Sequence, residues 1–527
     1  MYRLPIPRRG VSVSRAVRRS GIRSGCCVMP RRAGPTDPAS AAWGIRRRPG
    51  QGGWCGTRIG LGETVSMSAL AQNRREPVEL SAADGQEAIG RIEERDAGLA
   101  REASHVFESL TWGRGPQVLR QAGLQDWLWY VLATKYLTDE VGYMARLAEV
   151  AAVLCEELGL HRYAAICRSD TTRGVHAGFD ESDAMGRAAM RKAKDASGIE
   201  PPDLDDFEWG EVMGDAESTA RSVVEDALEA AIVSGRLVVG SRGWRRDQAE
   251  ITVAALNGDH PVEPGQSWRT VVVTERLQQW VDAAERRCGP LAALRGRLAN
   301  RLLHPIDTPA GVVSMMLPVT WFLGSFGDEQ PLTQAGYLSP AIVRRLHAEA
   351  PWDDPLASNG LLRTEIDAPM VHHVRSWLQS VGALRKHNKA LRRTKLGAAA
   401  VDPDVAWGLL VSNLGEQGWD RFVVECCGLT MLDRAEGIST RELFGDVAAM
   451  AADMGWATAE GGGQHRPPGE REVARAFHGM SSILTLCGVV AESGDWRDRR
   501  VELPVEGVAT MLAAIRVSAA GPRSVPW

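Results

Sequence analysis

Lysine is scarce in this chain: of its 62 basic residues only six are lysines. Arginine stands in its place, and alanine and glycine are abundant, the bias that GC-rich codons impose. Arginine content therefore says little about function here, and a cluster of lysines says more. Long apolar runs are missing as well. None reaches the roughly 18 residues that a membrane-spanning helix needs. The nearest, GVVSMMLPVTWFLGSFG from 311, is interrupted by Pro318. A soluble, cytoplasmic chain with no membrane partner is expected. The nine cysteines form no CxxC, and the eleven histidines show no HExxH or zinc-finger spacing. An odd, scattered set fits reduced thiols better than a disulfide framework. No metal and no cofactor is expected.

Catalytic signatures are equally absent. There is no GxSxG, no Walker A and no strand-embedded GxGxxG. GGGQH at 461–465 is a glycine-rich loop without a P-loop lysine, and Cys426 and Cys427 lie in the apolar run RFVVECCGLTML, where inert core thiols are expected. An enzyme is thus the less favoured reading. A net charge of −4 excludes a general affinity for nucleic acid or acidic membrane, so any such affinity must come from a local patch.

What is present is mostly helix. A chain of 527 residues predicts several domains. Residues 1–66 are rich in arginine, glycine and proline and carry only Asp37 and Glu63 as acids. They are expected to be a disordered basic segment. Arg18-Arg19 has no apolar stretch after it, so an export signal is not expected. Gly62-Glu63, encodable as a purine-rich ribosome-binding run, stands three codons before Met67, and the native start is expected there. Residues 67–199 read as a helical domain. In YLTDEVGYMARLAEVAAVLCEELGL, Thr138 is the expected N-cap and Gly159 the stop. Trp127, Trp129 and Tyr130 just before it are expected core. Residues 200–216 read as an exposed acidic linker; Asp203, Asp205, Asp206 and Glu208 lack the glycine and terminal glutamate of a calcium loop. Residues 217–329 return to helix, with RLVVGSRGWRRDQAE from 236 as a short strand and turn. SWRTVVVTERLQQWVDAAERR from 267 is expected to be helical despite its valines.

In the last third one arrangement occurs twice, over 330–412 and 413–518, before a tail at 519–527. Ser339-Pro340 opens a helix in the first, and the capping pair Ser439 and Glu442 opens one in the second. A second helix follows in each. Val371, Val374, Leu378 and Val381 line one, ending at Gly382; Val473, Phe477, Met480, Leu484 and Cys487 line the other, ending at Gly488. Two short strands around a polar turn come next, at His387-Asn388-Lys389 and at Ser493-Gly494-Asp495. A new helix then starts at Thr394 or Pro504. The predicted fold class is mainly α: N-terminal helical domains followed by two winged-helix-like (helix–helix–hairpin–helix) units.

QPLTQAGYLSPAIVRRL followed by GALRKHNKALRRTKLGAA resembles the winged-helix-like tail of uncharacterised actinobacterial proteins. Some plasmid-borne open-reading-frame-three-like proteins carry such a tail. The resemblance covers about 330–400 and implies the architecture, with no catalytic or ligand residue.

The first hairpin concentrates charge. Arg385, Lys386, Lys389, Arg392, Arg393 and Lys395 are the candidate wing contacts to double-stranded DNA. His372, His373, Ser376 and Gln379 on the preceding helix are candidates to reach bases or phosphates. In the second hairpin Glu492, Asp495 and Asp498 cancel Arg497, Arg499 and Arg500. A non-enzymatic, DNA-associated or regulatory protein is the favoured function. The alternative is a protein-interaction scaffold that binds no nucleic acid.

Overall fold

The structure, a computed structural model, describes residues 27–28, 80–136, 140, 142–354, 362–414, 418–434, 436–459, 465–495 and 498–523. Met67, Thr138, Gly461 to Gln464 and Arg497 lie outside these residues, as does the basic segment 1–66 apart from the two-residue strand β1 (Cys27–Val28). The chain divides into two compact units.

The N-terminal unit takes in 80–209 and 213–272. Its helices are α1 (Ala82–Glu93), α2 (Ala97–Thr111), α3 (Gln121–Asp126), α4 (Leu132–Lys135), α5 (Tyr143–Glu157), α6 (His161–Cys167), α7 (Asp170–Glu181), α8 (Asp183–Ser197), α9 (Asp215–Val233) and α10 (Trp244–Leu256), with the first residues of α11 (Trp268–Glu285). Small residues let α1, α2 and α5 approach closely, with Ala88, Ala103, Ala151 and Leu154 fully buried among them. A π-helical turn, Trp127–Val131, joins α3 to α4. It carries the predicted aromatic core. Trp127 and Trp129 are buried, and their indole N–H groups donate to Ser109 at 2.9 Å and Thr172 at 3.0 Å, the partner that a buried indole needs. Helix α5 begins after Gly142 (φ 80°) and stops before Gly159 (φ 74°), as its C-terminal glycine predicts.

A second apolar cluster gathers Ala220, Val224 and Leu228 of α9 with Leu256 of α10 and Val272 of α11. The opposite side of α9 is polar and equally buried. Glu229 accepts from the Gln121 N–H at 2.9 Å and the Tyr163 hydroxyl at 2.6 Å and pairs with Arg162, while Asp226 pairs with Arg120 at 2.7 Å. Two sequence expectations change in this unit. The acidic stretch is not simply exposed: Pro201 and Phe207 are buried, and Asp206 pairs with Arg269. Two apolar side chains anchor a segment whose composition is otherwise solvated. Residues 236–243 form turns instead of a strand, since Leu237 buries alone while Val238 stays 57% exposed. The valine run of α11 is helical, and Ser267 accepts from the Thr270 N–H at 3.2 Å at its start.

The C-terminal unit comprises β1, Gly210–Val212 and everything from Val273. Its core is one apolar cluster running from Val273 to Ala520. It is built from the rest of α11, α12 (Gly289–Ala299), α13 (Val312–Phe326), β2 (Glu329–Pro331), α14 (Pro340–Glu349), α15 (Pro369–Ser380), β3 (Leu384–His387), β4 (Ala390–Arg393), α16 (Lys395–Ala399), α17 (Pro403–Ser412), α18 (Trp419–Asp433), β5 (Ile438–Ser439), α19 (Thr440–Asp453), β6 (Ala457–Ala459), β7 (His465–Arg466), α20 (Glu470–Leu486), β8 (Ala491–Ser493), β9 (Arg500–Glu502) and α21 (Val505–Ala519). Helix α18 is its centre, buried without interruption from Phe422 to Met431 and in contact with α12, α19, α20 and α21. Helix α13 runs through Pro318. The ring costs one backbone hydrogen bond, and Met316, Val319, Phe322, Leu323 and Phe326 on the same helix are all buried. No helix among the described residues is long and apolar enough to cross a membrane. The protein is mainly helical.

The repeated arrangement is visible in the backbone. Strand β2 pairs with β4, which pairs with β3; β5 pairs with β9, which pairs with β8, all antiparallel. Leu391 in the centre of β4 and Val501 in the centre of β9 are both buried. Gly397 and Gly507 open the helices that follow, and a Cβ on either would meet the carbonyl oxygen of Ala383 or Val489, at 2.2 Å and 2.1 Å. Only glycine permits that approach. A third sheet pairs β1 with β6 and β6 with β7.

Candidate nucleic-acid interface

The first hairpin starts where Gly382 (φ 78°) ends α15. Leu384 and Leu391 point inward and are buried, which fixes the register of the two strands. The turn has two residues, Asn388 (φ 48°) and Lys389 (φ 61°), both left-handed. That is the geometry that matches strand twist in a tight hairpin. Asparagine tolerates it; lysine occupies a position where glycine is preferred.

Strand β2 decides how much of the hairpin's charge is free. Its register sets Glu329 opposite Arg392, and the two form an ion pair at 2.6 Å. Asp328 pairs with Arg393 at 3.1 Å, and Arg393 also donates to the Leu323 carbonyl. Both arginines are therefore tied into the fold. Arg385, Lys386, Lys389 and Lys395 are exposed and form no ion pair among the described residues. The Lys386 ammonium lies beside the Gly336 turn, 3.2 Å from where a Cβ would stand there.

The helix candidates sit differently from the sequence expectation. Every residue of α15 except Ser380 is buried or half-buried, and α15 packs against α20. Inside this packing is a carboxylate that the sequence did not single out. Glu365 is fully buried and accepts from the Leu338 N–H at 2.7 Å, His372 at 3.0 Å and Arg375 at 2.5 Å. Burial alone would raise its pKa. The bonds from His372 and the Leu338 amide, with the Arg375 charge, outweigh that and hold it below the usual carboxylate range. Arg375 also donates to the Gln379 side-chain oxygen at 2.7 Å. His372 and Gln379 are thus consumed by an internal network. Burial, then the neighbouring His372, pushes the pKa of His373 down, and its Nδ1 is buried without a partner. Ser376 is half-buried. A lone glutamate in RTEIDAP gave no sequence signal, because its partners at 338, 372 and 375 converge only in three dimensions.

The second hairpin has its charge spent. Arg499 pairs with Glu492 at 3.2 Å, and Arg500 donates to the Gly437 carbonyl at 3.0 Å. Cys426, Cys427 and Cys487 are fully buried; burial raises all three thiols, Cys487 to about 12. Comparison with protein-family models, curated proteins and solved structures gave no match to any of them.

Proposed function

We propose that residues 329–399 form a winged-helix unit and that its hairpin binds the phosphate backbone of duplex DNA, making this a DNA-associated protein of regulatory rather than catalytic character. One observation carries the reading: Arg385, Lys386, Lys389 and Lys395 are gathered and exposed on one hairpin and the helix start after it, with no ion pair among the described residues, in a chain of net charge −4. Exposed, mobile ammonium and guanidinium groups without internal partners are what phosphate contact requires. The resemblance of this stretch to winged-helix-like tails agrees with it. The engagement of His372 and Gln379 inside the fold directs the reading toward phosphates and away from base edges, so affinity with little sequence preference is the expected behaviour.

Four phosphate contacts predict that log K falls against log salt with a slope of roughly −3.5. Fluorescence anisotropy with a labelled duplex measures it. The quadruple variant R385E/K386E/K389E/K395E should stay folded and lose binding. An absence of binding by the parent chain at ~50 mM salt, where electrostatic contacts are strong, removes the reading. A protein-interaction scaffold is the second reading. It is favoured by Val313 and Leu317, one turn apart on α13 and 65% and 45% exposed.

A further inference from the structure

The N-terminal unit holds a cleft of about 610 Å³. Its wall is helix α2, the turn that follows it and the start of α5, and its lining includes Glu102, Glu108, Trp112, Tyr136, Tyr143 and Arg146. We propose that this cleft is a binding site for a small organic cation carrying an alkylated ammonium or guanidinium group.

Trp112 is the first reason. It ends α2 in the left-handed conformation, φ 52° and ψ 35°, with its indole 79% exposed. A bulky residue there is a steric outlier, and an exposed indole gives up the burial that normally justifies tryptophan. Glycine takes that backbone conformation without steric strain, and this tryptophan instead lines the cleft. Two more aromatic rings line the same cleft: Tyr136 and Tyr143, with centroids 6.2 Å apart and tilted by 42°. Tyr136 is held in place, its hydroxyl donating to Ser109 at 3.0 Å, and the Trp127 indole fixes Ser109 in turn.

The electrostatics select the sign of the ligand. Aromatic faces are negative, and they attract ammonium and guanidinium groups. The carboxylates of Glu102 and Glu108 line the cleft with them, as does His105. The cleft's own cation, Arg146, is fully committed: it pairs with Glu102 and with Glu140 at 3.2 Å, and its guanidinium lies 5.3 Å from the Tyr143 ring centroid. That internal contact demonstrates the chemistry a ligand cation would repeat on the free face of Trp112. Glu108, one turn before Trp112, is exposed and forms no ion pair among the described residues, so it is available to balance the incoming charge. An anionic ligand would meet the carboxylates of Glu102 and Glu108, with His105 and an arginine already paired. A neutral apolar ligand would leave Glu108 desolvated without compensation.

The test is isothermal titration calorimetry of the full chain with choline, and with 3,3-dimethyl-1-butanol, its neutral carbon isostere. Choline should bind and the isostere should not. Trp112→Gly is the decisive variant, because glycine accepts the backbone conformation unstrained and a thermal melt will show the fold intact. It should weaken choline binding by about two- to fivefold, the loss of one exposed cation–π face, while Trp112→Tyr retains most of it. Glu108→Gln should weaken choline by several-fold. Binding of the isostere as tight as that of choline, unchanged affinity in Trp112→Gly, or no heat with choline up to ~50 mM, the weak end for a single exposed cation–π site, would each overturn the proposal.

Discussion

The two hairpins of the C-terminal unit share strand order, a buried central residue on the second strand and a glycine pressed against a carbonyl after it. They differ in charge at matching places. Lys386 pairs in register with Leu391; Glu492 pairs with Val501. The first hairpin is flanked by a strand that brings two acids, Asp328 and Glu329, to Arg393 and Arg392, and leaves Arg385, Lys386, Lys389 and, at the start of the next helix, Lys395 without an ion pair among the described residues. The second satisfies Arg499 from its own Glu492 and Arg500 from a backbone carbonyl. One backbone plan therefore supports a charged, available surface in one copy and a neutralised one in the other. Lys386 and Glu492 stay exposed although each lies opposite a buried residue, so the charge differs between the copies while Leu391 and Val501 are kept.

The helices beneath the hairpins differ as well, and there the largest effect is expected. Arg375 belongs to a buried ion network in the first unit; Ser481, on the corresponding turn of α20, is buried and near His478 at 3.3 Å. Glu365→Ala should leave the Arg375 charge buried without its partner and cost about 3–5 kcal/mol, as removal of one member of a buried pair does. Ser481→Ala should cost no more than about 1 kcal/mol. Denaturant midpoints measure both, and equal losses would erase the distinction between the two helices.

A charge exchange comes next. Glu492→Lys releases Arg499 and gives the second hairpin two unpaired cations, so the salt slope for DNA should steepen by roughly 2. Lys386→Glu, the reverse change in the first hairpin, should make the slope shallower by about 1 to 2. If neither change moves the slope, hairpin charge does not govern binding.

Acid should act on one of the two repeats before the other. The folded-state pKa of Glu365 is depressed, so its stabilising contribution is complete above the unfolded value near 4.5 and is lost as pH falls through the lower folded value. Below about pH 4, near an unperturbed glutamate pKa, amide exchange in α15 should accelerate ahead of exchange in α20. The smallest effect concerns the turn. Lys389→Gly relieves a left-handed penalty of roughly 1–2 kcal/mol, partly offset by the extra freedom of glycine in the unfolded chain. A rise in melting temperature of a few degrees, with weaker DNA binding, is the expected result. A fall in melting temperature would show that the left-handed turn is not strained.

Much of the local structure was legible in the sequence, because it depends on near neighbours. Ser339, Ser439 and Thr394 cap their helices as predicted. Gly159, Gly382 and Gly488 end theirs with positive φ, and the two-residue turn at Asn388-Lys389 closes a hairpin. The helical state of the valine run in α11 and the burial of Cys426 and Cys427 also follow from patterns a few residues long. Tertiary structure alone decided which charges are free. Arg392 and Arg393 lose their availability to acids more than sixty residues upstream. His372 and Gln379 lose theirs to a network centred on Glu365, and the sequence gives no sign that α15 would be covered by α20. The same holds for the cleft, where Trp112, Tyr136 and Tyr143 come to line one cavity only because α2 and α5 pack side by side. Caps, turns and apolar periodicity are set by contacts within a few residues, whereas neutralisation and exposure depend on which distant side chains the packing delivers.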